Sequence, residues 1–320
     1  MSTVTQSEGL PPLGALTLAQ TRMDRGCERR SDAGLLPGIW GAASTHVMLM
    51  DDARTLVREN KIVLLPSQGR PLPAMAVYLG RALPGADVPV GTDIVLEILD
   101  GPGQAGLPDG SAGDWLGLRE VAVGLSPQDA GLFVEAAAIA NWHASHQHCP
   151  LCGTPTRIEQ GGWVRRCPED QTQHFPRTDP AIIVSVLDDQ DRILLGHNKA
   201  WPAGRYSTLA GFVEPGESLE AAVIREVEEE SGVLVHSPQY LGSQPWPFPA
   251  SLMLGFTATA VRTELKPDGV EIADVRWFTR EELAACIGSG EVQVAGGLSI
   301  ARALIEHWYG GPLPEPQAWQ

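Results

Sequence analysis

Residues 211–233 read GFVEPGESLEAAVIREVEEESGV. From Ser218 to Glu230 the stretch holds no Gly or Pro; Ser218 offers a side-chain oxygen to the first helical N–H groups, and Gly232 offers a left-handed stop. The pattern predicts one helix. At about 100° per residue, Leu219, Ala222, Val223 and Val227 line an apolar stripe. Glu226 follows Leu219 by seven positions and Glu230 follows Glu226 by four, so both carboxylates continue that inward row, with Glu229 beside them. Acids one turn apart on an inward face repel each other unless cations sit between them, and hard divalent ions, Mg²⁺ or Mn²⁺, are the natural occupants. Glu220 and Glu228 point elsewhere and read as an ordinary solvated face. Arg225, the only positive charge in the stretch, is expected to orient a neighbouring carboxylate, Glu217, instead of touching a substrate.

Outward from this helix the chain alternates strands and helices. Residues 181–187 (AIIVSVL) predict a buried strand, 188–191 a turn and 192–196 the return strand; further strands are expected at 252–261 and 275–278, with a closing helix near 298–308. Residues 1–125 hold short β-rich runs at 45–49, 61–65, 75–79 and 93–99 between Gly/Pro-rich turns. Residues 127–146 predict a connecting helix with Pro127 in its first turn. The whole is a mixed α/β (α+β) protein divided into residues 1–125, the connecting helix 126–147, a metal ribbon 148–178 and an α/β domain 179–320.

The ribbon rests on three of the five cysteines. Cys149-Pro150-Leu151-Cys152-Gly153 is a turn that aims two thiolates at one ion, and thirteen residues separate Gly153 from Cys167. Where a second Cys-x2-Cys would end stands Asp170, a permissible oxygen ligand, with His174 four residues on as the alternative. A closed site of four such ligands is a structural zinc site. His143, His146 and His148 are expected at the surface or the helix end. An odd number of cysteines clustered in this way fits a reducing compartment better than a disulfide framework.

Composition limits the partners. The chain has 320 residues, 43% of them hydrophobic, enough for two or three cores and too apolar for a disordered chain; no apolar run approaches the roughly 18 residues of a membrane span. Residues 1–10 lack the plan of a secretion signal, so the expected location is the cytoplasm. Lys plus Arg number 23 against 39 Asp plus Glu, a formal charge of -16 that excludes general coating of nucleic acid but leaves room for a metal-filled pocket gripping one end of a polyanion.

Two motifs carry a family resemblance. Gly211, Glu217, Arg225, Glu226, Val227, Glu229, Glu230, Gly232 and Val233 match G-x5-E-x7-R-E-U-x-E-E-x-G-U without departure and resemble the box of the Nudix hydrolases. Downstream, residues 243–251 (SQPWPFPAS) resemble the SQPWPFPxS array of the NADH pyrophosphatase, or NudC-type, branch, with Ala250 where Gln is common. That branch also carries a zinc ribbon before the Nudix domain; here Asp170 stands in place of the usual fourth Cys. The resemblance implies a Nudix α/β/α sandwich with a mixed sheet.

It implies further that Glu226, Glu229, Glu230, the Ala210 carbonyl and the distant Glu271 hold Mg²⁺ or Mn²⁺, that Cys149, Cys152, Cys167 and Asp170 (or His174) hold Zn²⁺, and that one box glutamate, Glu230, acts as base. Gly211, Glu217, Arg225 and Gly232 are structural parts of the box. Phe175, Phe212, Gln244, Pro245, Trp246, Pro247, Phe248, Pro249, Ala250, Ser251 and Ala301 are implied as the substrate surface, Phe175 and Phe212 sandwiching a nicotinamide ring. The prolines of the array stiffen a loop that can hold Trp246 and Phe248 against a flat ligand.

The implied reaction is metal-dependent hydrolysis of the pyrophosphate of NAD(H) to NMN(H) and AMP, and removal of an NAD cap from RNA 5′ ends, by a homodimer. Two alternatives are a broader hydrolase of nucleoside diphosphates such as ADP-ribose, and a non-catalytic dinucleotide sensor.

Overall fold

The computed structural model describes residues 12–19, 22–101 and 113–314; residues 1–10, read above for a secretion signal, lie outside them. The chain divides into two units, one formed by Met1–Thr17, Asp179–Pro245 and Ser251–Gln320, the other by Leu18–Thr178 and Trp246–Ala250.

The unit that includes Leu18–Thr178 contains β1 (Met23–Asp24), α1 (Leu35–Ile39), β2 (Thr45–Asp51), β3 (Arg54–Arg58), β4 (Lys61–Ile62), β5 (Leu64–Pro66), β6 (Ala76–Ala82), β7 (Asp93–Ile98), β8 (Asp114–Gly117), α2 (Leu118–Val121) and α3 (Pro127–Ser145). Its eight strands form one mixed sheet, ordered β1-β6-β7-β2-β3-β4 with β5 on β2 and β8 on β3, in which only the β2–β7 pairing runs parallel. Ser126 caps α3 by accepting the Asp129 N–H at 3.1 Å, and Pro127 occupies the first turn, where no N–H is needed. α3 was expected as a connector. It is instead buried along most of its length, from Ala130 through Phe133 and Ile139 to Trp142, because small apolar residues surround it on every side.

A three-stranded antiparallel ribbon follows α3: β9 (Arg157–Glu159), β10 (Val164–Arg166) and β11 (Gln173–His174), in the order β11-β10-β9.

The other unit is built on β12 (Asp179–Leu187), β13 (Ile193–Asn198), β14 (Leu209–Phe212), α4 (Leu219–Ser231), β15 (Val235–Trp246), β16 (Ser251–Ala260), β17 (Ile272–Phe278), α5 (Arg280–Ser289) and α6 (Ile300–Tyr309). Its mixed sheet runs β15-β16-β12-β13-β17, with β14 beside β12; β12 and β16 are parallel, while β13 and β14 are antiparallel to β12. Ile182, Val184 and Val186 share a core with Ala222, Val223 and Val227 of α4, whereas Ile183 packs with Ile300, Ala301 and Leu304 of α6. Alternate residues of β12 point to opposite faces, so a helix covers each face and the unit is an α/β/α sandwich. This double coverage explains why β12 is apolar at nearly every position. α5, not foreseen in the sequence, packs Leu283 and Ile287 against Ile193, Leu195 and Phe278.

Among the described residues no helix is long and apolar enough to cross a membrane.

Candidate active site

α4 begins and ends where its sequence dictates. Ser218 Oγ accepts the Ala221 N–H at 3.2 Å, and Gly232, with φ of 72°, closes the helix. Ala222, Val223 and Val227 are fully buried, each Val contributing about 1.5–3 kcal/mol by leaving water. That anchored stripe carries the acids with it: Glu230 is only 6% exposed, Glu226 is half-buried and Glu229 is exposed.

Arg225 organises the acids around itself. Its Nε and Nη2 donate to the two Glu217 oxygens at 2.8 and 2.9 Å, Nη2 also donates to the Phe212 carbonyl at 2.9 Å, and Nη1 reaches Glu226 at 2.8 Å and Glu229 at 3.1 Å. A bidentate pair of this kind is a strong, directional contact. It binds the loop after β14 to α4 and holds the Glu217 carboxyl below its ordinary value.

Gly211 makes the site possible by lacking a side chain. A Cβ there would lie 2.0 Å from the Glu226 carboxyl carbon, so any other residue would push the acid out of its present position.

Among the described residues no salt bridge reaches Glu230. Its Oε2 is buried and has no hydrogen-bond partner, and burial, followed by the nearby charges of Glu226 and Glu271, pushes its carboxyl up to about 8. Burial likewise raises Glu226 against the pull of Arg225, with Glu229 and Glu271 adding to the rise. Glu271 therefore belongs to the same electrostatic group, far from the box in sequence. Its position is set by Asp268, whose carboxylate accepts the N–H groups of Val270, Glu271 and Ile272 at 2.9 to 3.2 Å, and Asn198 Nδ2 donates to Glu271 at 3.3 Å. The sequence reading missed both Asp268 and Asn198. An Asp two residues before the N–H it binds is the one signal that was available.

The acids fit a divalent cation by charge and by the orphaned Glu230 oxygen. They are not drawn together as tightly as the thiols: among the described residues, the only group of three or more His, Cys, Asp or Glu ligand atoms all within 4.8 Å of one another is Cys149, Cys152, Cys167 and Asp170. Arg225 Nη1 is held by Glu226 and Glu229.

Two knuckles of the same shape build the thiol site. Gly153 N–H donates to Cys149 O at 2.9 Å and Gln171 N–H to Cys167 O at 3.1 Å; Cys149 and Cys167 in turn donate to Thr154 and Thr172. Gly153 has φ of 75° and Gln171, its counterpart, 65°. Asp170 thus stands where the second knuckle places its second ligand. Its Oδ2 lies 3.3 Å from Cys149 Sγ, and Cys152 and Cys167 are 3.4 Å apart, near the roughly 3.7 Å edge of a tetrahedron with 2.3 Å zinc–sulfur bonds. His174 is not in the group; its Nε2 lies 3.3 Å from Thr172 Oγ1. The donor set fits zinc.

His143 lies at the helix end, in the last turn of α3, but it is buried instead of facing solvent. It is 1% exposed, its Nε2 2.8 Å from Gly162 O and its Nδ1 accepting from Arg165 Nε at 3.0 Å. Burial pushes the imidazole down to about 4. His146 is partly buried and His148 exposed.

Of the residues expected at the substrate surface, Phe212 and Phe175 are 57% and 60% exposed, high for rings of that size. Gln244, expected to contact substrate, is 1% exposed: its Nε2 donates to Thr17 O at 2.7 Å and Leu298 O at 2.8 Å, and its Oε1 accepts the Ile300 N–H at 2.9 Å. Its amide thus faces inward and secures the start of α6. Ala301 is buried there, its N–H donating to Ser299 Oγ at 3.2 Å. Pro245, Trp246 and Ser251 lie on strands, because β15 and β16 take up both ends of the array; Pro247, Phe248, Pro249 and Ala250 make the turn. Trp246 and Phe248 pack edge to face with ring centres 5.3 Å apart.

Comparison with known proteins defines the family. Residues 176–293 match the NUDIX domain and residues 144–175 the NADH pyrophosphatase zinc ribbon domain. The chain is 38% identical over 307 residues to the NAD-capped RNA hydrolase NudC of Mycobacterium bovis, covering 91% of this chain and 94% of that one. It therefore belongs to the Nudix hydrolases of the NudC type, with the NADH pyrophosphatase zinc ribbon. The human NAD-capped RNA hydrolase NUDT12 is 44% identical over 196 residues, 58% of this chain; the match spans 42% of that relative's own length. A solved NUDIX hydrolase from Nitrosomonas europaea is similar over 52% of this chain and 95% of its own, with a TM-score of 0.42 and 23% identity.

Proposed function

We propose that the chain hydrolyses the pyrophosphate bond of NAD(H) to NMN(H) and AMP, and cuts the same bond in NAD-capped RNA. The observation that carries this reading is Glu230, a buried carboxyl with an orphaned oxygen, set among Glu226, Glu229 and Glu271 on the box of a NudC-type chain. Glu226, Glu229, Glu230, Glu271 and the Ala210 carbonyl would hold Mg²⁺ or Mn²⁺. Such ions, when bound, neutralise phosphate oxygens and lower the cost of generating hydroxide from water.

The chain's own groups do the rest. Water attacks one phosphorus of the anhydride, the bridging P–O bond breaks with its oxygen leaving on the departing phosphate, and the proton of the attacking water passes to a box carboxylate, a role the family resemblance gives to Glu230 and that needs bound cations to bring its raised pKa back down. Arg225 holds Glu217, Glu226 and Glu229 in fixed positions so that little reorganisation is needed at the moment of reaction. Each of Phe175, Phe212, Trp246 and Phe248 carries a ring of the kind on which a flat group of a dinucleotide stacks. Zn²⁺ on Cys149, Cys152, Cys167 and Asp170 would be structural. The five thiols are free, which suits a cytoplasmic location, and a homodimer completes the reading.

The test is a comparison of initial rates on NADH, NAD⁺, NAD-capped RNA and ADP-ribose with Mg²⁺ and with Mn²⁺. This reading expects NAD(H) or capped RNA to be preferred over ADP-ribose. Equal rates on ADP-ribose would favour the broader hydrolase, and NADH binding without AMP release would favour a sensor.

A further inference from the structure

The turn that presents Trp246 and Phe248 cannot hold its own shape. Pro245, Pro247 and Pro249 supply no N–H, and the one internal backbone bond within the turn runs from Phe248 N–H to Trp246 O at 2.8 Å. The carbonyls of Pro247 and Pro249 therefore need donors from elsewhere. Both are served by one side chain: Asn141 Nδ2 on α3 donates to Pro247 O at 3.0 Å and to Pro249 O at 3.1 Å. The two hydrogens of a single amide thus bridge the two ends of the Phe248 turn.

The support behind Asn141 is rigid. It is followed on α3 by Trp142 and His143, 3% and 1% exposed, the latter fixed by Gly162 and Arg165. A second contact acts on the same ring. Arg119 of α2 lays its guanidinium 4.1 Å from the centre of Phe248 and 5.8 Å from that of Trp246. Among the described residues no side-chain hydrogen bond or ion pair engages the Arg119 guanidinium. One face of Phe248 is thereby covered, and its tilt is constrained from two directions.

We propose that Asn141 is a positioning residue for the hydrolysis, fixing the aromatic turn 246–250 in the form that packs against a flat ring of the dinucleotide, with Arg119 supporting Phe248. This rests on reading that turn as part of the substrate surface. Neither residue lies in the box, the array or the ribbon ligands, and neither touches the reacting atoms. Loss of Asn141 leaves the acids of α4 untouched and frees the turn, so substrate capture weakens while the bond-breaking step persists.

The experiment is a double-mutant cycle on steady-state NADH hydrolysis with Asn141→Leu, Phe248→Leu and the combination, with zinc content and Tm measured in each protein. Asn141→Leu keeps the number and branching of the side-chain heavy atoms and removes both donors. The expected result is a KM raised about tenfold with kcat within about threefold, and a double variant no worse than Phe248→Leu alone. If Phe248→Leu raises KM and Asn141→Leu does not, or if the two losses multiply independently, the inference is overturned while the reading of the turn stands. If Phe248→Leu leaves KM unchanged, the reading of the turn fails and the inference with it. Should Asn141→Leu fail to fold, Asn141→Asp replaces it in the same cycle; it preserves the shape and turns the two donors into acceptors.

Discussion

Replacing Gly211 with Ala separates activity from stability. The backbone at Gly211 lies outside the left-handed region, so Ala meets no strain there, and restricting the unfolded chain adds about 0.4–1 kcal/mol of stability. The new Cβ, however, would stand 2.0 Å from the Glu226 carboxyl carbon and 2.1 and 2.3 Å from its oxygens. To reach ordinary contact at 3.4 Å the acid must retreat by more than an ångström and leave Arg225 Nη1, now 2.8 Å away. Loss of that partly buried contact, with Arg225 still held by Glu217 and Glu229, costs about 1 kcal/mol, which offsets the backbone gain. Stability should therefore change by less than about 1 kcal/mol, a Tm shift of only a few degrees. A ligand displaced by about 1 Å, in contrast, lowers kcat/KM on NADH by about 100-fold or more. The assay pairs kcat/KM with a melting curve. Activity within threefold of the parent, or a loss that follows a collapse in Tm, would refute the argument that Gly211 exists to make room for Glu226.

Glu230→Gln or Glu229→Gln should lower kcat/KM by orders of magnitude with an unchanged Tm, since each removes charge from the acid cluster at constant volume; near-parental rates would discredit the cluster. Cys149→Ser should release zinc and lower Tm, read by elemental analysis beside a melting curve. His143 sets a pH dependence: it is neutral in the fold with its pKa near 4, against about 6.5 when unfolded, so its contribution is intact above pH 6.5 and is lost as pH falls toward 4. That gap corresponds to roughly 3 kcal/mol at most, and the His143→Gln variant should show a shallower acid decline in urea stability than the parent.

Much of this was legible because local rules and the global fold agree. Ser218, Gly232 and the stripe Leu219, Ala222, Val223 and Val227 mark α4, and the same seven- and four-residue spacings lead to a Glu230 that is indeed buried. The strand at 181–187 was visible from its unbroken apolar run, although the structure extends it to Asp179. What escaped depends on distant partners. Gln244 is polar and sits in a motif, and nothing nearby shows that its amide faces Thr17, Leu298 and Ile300. His143 is buried by Arg165 and Gly162, about twenty residues on. α3 was read as a connector because its even apolarity gives no direction to an amphipathic argument, and that evenness is itself the mark of burial. Asp268 and Asn198 act by fixing Glu271, a role that leaves no periodic trace.

The central claim is that the box acids and Glu271 collect divalent cations. Anomalous diffraction at the manganese edge from crystals soaked in Mn²⁺ tests it most directly. The account predicts a manganese peak within coordination distance of Glu226, Glu230 and Glu271 in the parent, lost in Glu230→Gln. A protein that turns over NADH while manganese is absent from these carboxylates would contradict it.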